Sequence, residues 1–149
     1  MKRSKGFTLI ELLIVMAVIA ILIAIAIPSF RGMQQEARKT KAQGDVRVLK
    51  IAIESYYKNH NNEYPAVAAY QTTLLAASPR ILEGNLYDPF GATSTTTYTY
   101  GISTGDPATA HYYIIYSVGP GSTAGTASVD NAGTVTASND AIWDSNGHL

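Results

Sequence analysis

The sequence has no cysteine, and it has no lysine or arginine after Arg80. The first absence excludes disulfide bonds and thiolate metal sites. The second leaves a long acidic segment, whose carboxylates are Glu83, Asp88, Asp106, Asp130, Asp140 and Asp144. Such a segment lacks the electrostatic footprint of a nucleic-acid-binding surface, so we expect no nucleic acid partner. Its carboxylates are either an ordinary soluble surface or a means of attracting cations.

Motifs of catalysis are missing as well. There is no nucleophile motif, no phosphate-binding loop and no cluster of histidine with carboxylates. The three histidines, His60, His111 and His148, lie in unrelated settings. We therefore expect a protein that is not an enzyme, and we interpret its ten tyrosines as packing residues.

The main feature that is present is one long apolar segment near the N-terminus. Residues 7–27 contain only two polar side chains, Thr8 and Glu11. As a helix, a segment of this length spans roughly 32 Å, which is enough to cross a bilayer. Three basic residues precede it, namely Lys2, Arg3 and Lys5. The positive-inside rule then predicts a cytoplasmic N-terminus, with everything after Ile27 on the outer side of the membrane.

A secretory signal peptide is the alternative interpretation of this segment. The basic start fits it, and residues 24–26, with the sequence AIA, resemble a small-residue cleavage site. Two features of the segment argue against a signal peptide. The apolar run is longer than a typical signal core, and it contains the ionisable Glu11, which is costly in hydrocarbon.

Residues 5–13, with the sequence KGFTLIELL, closely resemble the processing signal of type IV pilins and type II secretion pseudopilins. In that family a membrane peptidase cuts after the glycine and methylates the new N-terminus. The resemblance implies cleavage between Gly6 and Phe7, loss of the leader 1–6, and N-methylation of Phe7. It also implies partners: a prepilin leader peptidase/methyltransferase, an inner-membrane assembly platform, other pilins or pseudopilins, and further copies of the chain in a homo-oligomeric filament.

The position of Glu11 has a physical reason within this interpretation. Cleavage creates a positively charged amine at Phe7, one helical turn from Glu11. In a filament the carboxylate is then available to the amine of a neighbouring subunit, and a shielded ion pair offsets much of the cost of burying each charge. We therefore predict that Phe7 and Glu11 set the register of assembly.

The rest of the chain predicts an α+β fold. Apolar residues at three- and four-residue spacing in 42–59 indicate an amphipathic helix, which continues the apolar segment into one long helix over 7–59. Pro28 predicts a kink in this helix. A short helix is expected at 70–77, and strands at 93–100, 111–118 and around 129–136. We expect three parts: the leader 1–6, the transmembrane and filament-core helix 7–28, and a head domain 29–149 in which the helix covers a small antiparallel sheet.

The head also resembles that of the major pseudopilin of type II secretion. The matching segments are Asp88-Pro89-Phe90-Gly91, the tyrosine-rich segments 98–100 and 113–119, and residues 139–143. That family binds calcium in the loop after the second tyrosine-rich segment, through an aspartate followed by glycine. Here the loop reads Gly119-Pro120-Gly121-Ser122, and the aspartate is missing. Asp140 matches a later acidic ligand. With Asp130 and Asp144, and with backbone carbonyls, it is a candidate for a calcium site, because calcium takes six to eight oxygen ligands.

We therefore interpret the chain as a structural subunit of a pilus-like filament, most like the major pseudopilin of a type II secretion system. It would cross the bacterial inner membrane once, with its head in the periplasm or outside the cell, and enter a filament after assembly. Two alternatives stay open. One is a type IV pilin used in adhesion, twitching motility or DNA uptake, and the other is a membrane-tethered exported binding domain that does not polymerise.

Overall fold

The computed structural model describes residues 6–121, 124–138 and 140–148. The chain divides into two compact units, Met1–Glu36 and Ala37–Leu149. The first helix, α1 (Leu9–Asn59), contributes residues to both units.

In the first unit, every described residue is exposed. The apolar side chains cover all sides of the helix, because residues 12–27 contain no polar residue at all. α1 is a helix long and apolar enough to cross a membrane. Pro28 lies inside it, so the predicted continuation of the helix beyond this residue is confirmed, while the kink at Pro28 stays a prediction.

In the second unit, α1 has one buried face, as its periodicity predicts. The buried residues follow helical spacing, so they lie along one stripe; they are Ala42, Val46, Leu49, Ala52 and Ile53. The helix ends at Asn59, and the next turn places Asn61 and Asn62 at positive φ angles of 52° and 60°. Asparagine tolerates this left-handed conformation better than most residues, so the chain can reverse here.

The main sheet of the second unit has three antiparallel strands in the order β1-β2-β5. They are β1 (Thr99–Ile102), β2 (Tyr113–Ser117) and β5 (Ile142–Ser145). The central strand β2 pairs Tyr116 with Thr99 on one side and with Trp143 on the other. A separate two-stranded hairpin consists of β3 (Ala127–Val129) and β4 (Val135–Ala137).

Two predicted strands differ from the observed ones. The strand expected around 129–136 is a hairpin instead, because a turn in which the Gly133 amide donates to Asp130 O at 3.1 Å separates β3 from β4. The strand expected at 93–100 is regular only from Thr99, because Thr93 and Thr96 close a turn: the Thr96 amide donates to Thr93 O at 3.2 Å, and the Thr93 amide donates to Thr96 Oγ1 at 3.0 Å. Threonine hydroxyls compete with strand pairing in this way. The strand β5 was not predicted as a strand, and neither was a 3₁₀ helix at Val67–Ala69, which precedes α2 (Tyr70–Ala76).

The two faces of β2 belong to two different apolar clusters. Tyr113 and Ile115 point toward α1 and join its buried stripe, whereas Ile114 packs against Val129 and Val135 of the hairpin. This alternation follows from the two-residue period of a strand. The α+β fold class is therefore confirmed: a long N-terminal helix packs on a small antiparallel sheet.

Candidate functional site

The segment predicted to be processed is open on all sides. Gly6, Phe7 and Thr8 have no regular secondary structure and are exposed. A Cβ placed on Gly6 would meet nothing within 4 Å, and 84% of the Phe7 surface is exposed. The described residues therefore leave the Gly6–Phe7 bond uncovered, and nothing in the fold itself selects glycine at this position. The basic residues Lys2, Arg3 and Lys5 lie outside the described residues.

Thr8 and Glu11 form a reciprocal cap at the start of α1. The Thr8 amide donates to Glu11 Oε2 at 2.8 Å, and the Glu11 amide donates to Thr8 Oγ1 at 3.3 Å. The Thr8 hydroxyl also donates to Glu11 Oε2 at 2.8 Å. This is the capping box of a helix N-terminus, in which two otherwise unsatisfied amides are satisfied by side chains. Glu11 therefore has a local role in addition to the predicted pairing with an amine.

The three carboxylates of the predicted calcium site have different surroundings. Asp130 closes its own turn, where Oδ1 accepts the amides of Ala132 at 2.9 Å and Thr134 at 2.8 Å. Asp144 pairs with Lys50 of α1, with 2.7 Å between Nζ and Oδ1. The described residues contain no group of three or more His, Cys, Asp or Glu side chains that could hold a metal ion. The set of Asp130, Asp140 and Asp144 is therefore not brought together.

Asp140 does reach the loop that follows β2. A Cβ on Gly119 would collide with the Asp140 carbonyl oxygen, and a Cβ on Gly121 would collide with its carboxylate. Gly119 also has a φ of +74°, which side-chain-bearing residues rarely adopt. The two glycines thus allow a close approach that larger residues would prevent. Calcium at Asp140 with backbone carbonyls stays a prediction from the resemblance.

Asp88 is a buried carboxylate with a clear structural role. Its side chain accepts hydrogen bonds from Ser117 Oγ at 2.7 Å, the Phe90 amide at 2.9 Å and the Val118 amide at 3.0 Å. It therefore joins the turn at residues 88–91 to the end of β2. The sequence predicts the Asp-Pro-Phe-Gly turn but not this contact. The available signal is the aspartate that opens the turn, because aspartate at this position commonly accepts bonds from nearby amides.

Two tyrosine hydroxyls connect the sheet to carboxylates on α1. Tyr98 donates to Asp45 Oδ2 at 2.8 Å, and Tyr113 donates to Glu54 Oε1 at 2.9 Å. Burial, together with these bonded carboxylates, raises the pKa of both hydroxyls above the usual range. The hydroxyls therefore stay protonated as donors at neutral pH, which suits a structural connection.

Comparison with known proteins identifies the N-terminal part of the chain. Residues 1–27 match the family model described as the prokaryotic N-terminal methylation motif. The N-terminal part of the chain therefore carries this motif. The matched range includes Gly6, Phe7 and Thr8, which precede α1, and Glu11, which lies in its first turn.

Curated relatives come from both branches of the pilin and pseudopilin group. A fimbrial protein of Pseudomonas aeruginosa is 53% identical over 55 residues, which cover 37% of this chain and 36% of the relative. The type IV major pilin protein PilA of Myxococcus xanthus is 46% identical over 55 residues, covering 37% of this chain and 25% of the relative. The type II secretion system core protein G of Klebsiella pneumoniae is 30% identical over 77 residues, covering 52% of this chain and 54% of the relative.

These matches confirm the resemblance to type IV pilins and type II secretion pseudopilins. The chain spans between 25% and 54% of the length of these three relatives. No solved structure gives a significant match to the chain. Glu11 lies within the matched range 1–27, and its hydrogen bonds with Thr8 are a feature that only the structure revealed.

Proposed function

We propose that this chain is a structural subunit of a pilus-like filament and has no enzymatic activity. The observation that carries the proposal is the exposed apolar surface of residues 7–27, in which Glu11 is the only charged residue. A helix that is apolar on every side needs a lipid environment or neighbouring helices. A filament of copies supplies the neighbours, and the membrane supplies the lipid before assembly.

We also propose the processing and location that this function requires. A prepilin leader peptidase/methyltransferase removes residues 1–6 and methylates Phe7, and an inner-membrane platform with other pilins or pseudopilins assembles the product. The helix crosses the inner membrane once, with its N-terminus in the cytoplasm and its head outside. The basic residues before the apolar segment support this orientation.

Among filament systems, we propose the major pseudopilin of type II secretion. The Asp-Pro-Phe-Gly turn supports it, because Asp88 accepts hydrogen bonds from Ser117 and Val118 at the end of β2. It thereby connects two of the head segments that resemble this subunit, 88–91 and 113–119. The length of the match to protein G of Klebsiella pneumoniae, 77 residues, points the same way. A type IV pilin is the second candidate, favoured by the 53% identity to a fimbrial protein.

Intact-mass analysis of the membrane-associated chain tests the processing. We expect residues 1–6 to be missing and a methyl group to be present on Phe7. Gly6→Leu should block cleavage because of its bulk and should abolish filaments seen by electron microscopy, whereas Gly6→Ala keeps a small residue and should be cleaved in part. A mature chain that begins at Ile27 would instead establish a secretory signal peptide.

Complementation separates the two filament systems. The gene is introduced into one strain that lacks its major pseudopilin and into another that lacks its major pilin. We expect restored protein secretion in the first strain and no restored twitching in the second. The opposite pattern would favour the type IV pilin, and a processed chain that forms no filament would favour a tethered binding domain.

A further inference from the structure

The outer side of α1 has an apolar groove in the second unit. Val48 and Ile51 expose 49% and 62% of their surfaces there, although they belong to a helix whose other face is buried. Pro79, Arg80 and Ile81 form the opposite wall, and the space between has a volume of about 320 Å³. We call this set, Val48, Ile51, Pro79, Arg80 and Ile81, the apolar groove.

The rim of the apolar groove is positively charged. Arg80 lines it directly, whereas Arg47 lines a different cavity, beside β5. Arg80 Nε donates to the backbone oxygen of Leu82 at 3.2 Å. Within the part of the chain that the structure describes, Arg80 has no acidic partner within 4.0 Å. The groove therefore fits an apolar segment that carries a negative charge.

The chain itself contains a segment of that chemistry. Residues 63–69, which we call the Val67 segment, include a valine with 41% of its surface exposed in the 3₁₀ helix. Ala66, Ala68 and Ala69 are exposed beside it. Glu63 is also exposed, and it is the only charged residue between Lys58 and Arg80. The Val67 segment is therefore small, apolar and acidic.

The groove and the segment belong to separate places on one copy. Val67 lines a cavity beside β1, and that cavity shares no residue with the apolar groove. Among the described residues of the second unit, the exposed large hydrophobic side chains are Val48, Ile51, Val67 and Tyr87, so the groove accounts for two of these four. Contact between copies would cover three of these four side chains at once.

We propose that the Val67 segment of one copy occupies the apolar groove of the next copy, with Glu63 facing Arg80. This inference rests on the proposed function, because it names the contact by which filament subunits recognise each other through their heads. The two surfaces are different, so the contact is heterologous. Such a contact can repeat from copy to copy, whereas a symmetric dimer would bury both copies of the surface in one closed pair. A filament requires such a contact.

Cysteine cross-linking tests the contact directly, because the natural chain has no cysteine. Ile51→Cys and Val67→Cys are introduced together into the full chain, and assembled material is oxidised. We expect a ladder of dimers, trimers and larger species, since each copy offers one thiol to each neighbour and a disulfide needs Cβ atoms about 4 Å apart. Either single variant should give no ladder.

The matched control pairs Ile51→Cys with Ser128→Cys, because Ser128 is exposed on β3 and lies in neither surface. An equal ladder from this control would overturn the proposed contact. Filaments that form normally but give no ladder from Ile51 and Val67 would overturn it too, and would leave the proposed function intact. If the unmodified chain formed no filament at all, the proposed function would fail first. Protection of the Ile51→Cys thiol without a ladder would indicate a different occupant of the groove and would also reject the contact.

Charge reversal provides an independent readout. Glu63→Arg alone and Arg80→Glu alone should each reduce the yield of filaments and of the cross-linked ladder, because each places like charges opposite one another. The two reversals together restore opposite charges and should recover both yields. A double variant no better than the single ones would overturn the assignment of Glu63 to the rim of the groove.

Discussion

The two stretches of α1 in residues 12–27 and 42–53 share one backbone conformation but differ in what surrounds their side chains. In the first stretch all residues are apolar and all are exposed. In the second, five residues on one face are buried by the rest of the same chain, and charged residues occupy other faces. The second stretch is therefore satisfied within one molecule, whereas the first needs lipid or other molecules.

The comparison separates folding from assembly. Burying a large aliphatic side chain stabilises by about 1.5–3 kcal/mol, and the second stretch obtains this gain when the head folds. The first stretch can obtain a comparable gain only from outside its own chain. Substitutions near the N-terminus should therefore change assembly with little effect on the head, and substitutions in the head should change its stability first.

The largest effect is expected at Glu11, where two roles can be separated. Glu11→Ala removes both the charge and the cap on Thr8, and should abolish filaments while leaving membrane insertion intact, since the segment becomes more apolar. Glu11→Gln keeps an oxygen for the Thr8 amide, as glutamine also serves in a capping box, but it removes the charge. If pairing with an amine sets the register, Glu11→Gln should fail in filament formation as Glu11→Ala does.

Thr8→Val is the matched control for the cap, because it removes the hydroxyl at nearly constant size. It should reduce filament yield less than Glu11→Gln does, as counted by electron microscopy. Normal filaments from Glu11→Gln, together with loss of filaments from Thr8→Val, would show that Glu11 acts through the helix cap.

In the head, the largest loss of stability is expected from Asp88→Ala. The substitution leaves the Val118 amide and the Ser117 hydroxyl without their acceptor in a buried place, and we expect a loss of about 3 kcal/mol in the free energy of unfolding. Asp130→Ala is the control, because Asp130 accepts two amides in an exposed turn and should cost about 1 kcal/mol. Urea unfolding of the full chain in detergent, followed by tyrosine fluorescence, would measure both. Equal losses would mean that burial of the Asp88 carboxylate adds nothing.

Alkaline pH should unfold the head before it affects the apolar segment, which has no tyrosine. Burial raises the pKa of Tyr64 to about 12 from a usual value of 10.0, and the pKa values of Tyr70, Tyr98, Tyr100 and Tyr113 shift in the same direction. A raised pKa in the folded state favours the neutral hydroxyl, so the stability contributed by these groups is complete below pH 10 and falls as pH rises toward 12 and beyond.

We therefore expect the melting temperature to fall steeply above pH 10, with tyrosine ionisation, measured by absorbance, occurring together with unfolding. Tyr64→Phe removes one of the ionisable groups and should make the pH dependence less steep. Gradual ionisation in a head that stays folded would contradict the burial of these side chains.

The smallest effect is expected at the ion pair between Lys50 and Asp144. Their side chains are 30% and 33% exposed, so the solvent screens the pair and we expect the two partners to couple by about 1 kcal/mol or less. A double-mutant cycle with Lys50→Met and Asp144→Asn would measure this coupling. If Asp144 instead served a calcium ion, Asp144→Asn would lower the melting temperature much more in calcium than in chelator. We expect equal effects in the two conditions, because Asp144 already has Lys50 as its partner.

The long helix could be predicted because its signals are local. A run of apolar residues and a three- and four-residue spacing are visible without any knowledge of the partner surface. The strand β5 could not be predicted in the same way. Ile142, Trp143, Asp144 and Ser145 show no regular alternation, and their extended conformation depends on pairing with β2, which is distant in sequence.

The residues of the candidate site also differ in whether the sequence alone predicts their proximity. Phe7, Thr8 and Glu11 lie within one helical turn, so their proximity follows from the sequence. The acidic residues of the C-terminal segment show only that carboxylates are available. Whether Asp144 meets Asp140 or Lys50 depends on how β5 is placed against α1, and that placement is a property of the whole head.

The hydrogen bonds of Tyr98 and Tyr113 have a mechanical consequence. They fasten the sheet to Asp45 and Glu54, which are nine residues, or about 13.5 Å, apart along α1. A force along the helix axis loads both hydrogen bonds at the same time, in shear, so they must break together and not one after the other. The head should therefore resist a force along α1 better than an equal force that lifts the sheet away from the helix at one end.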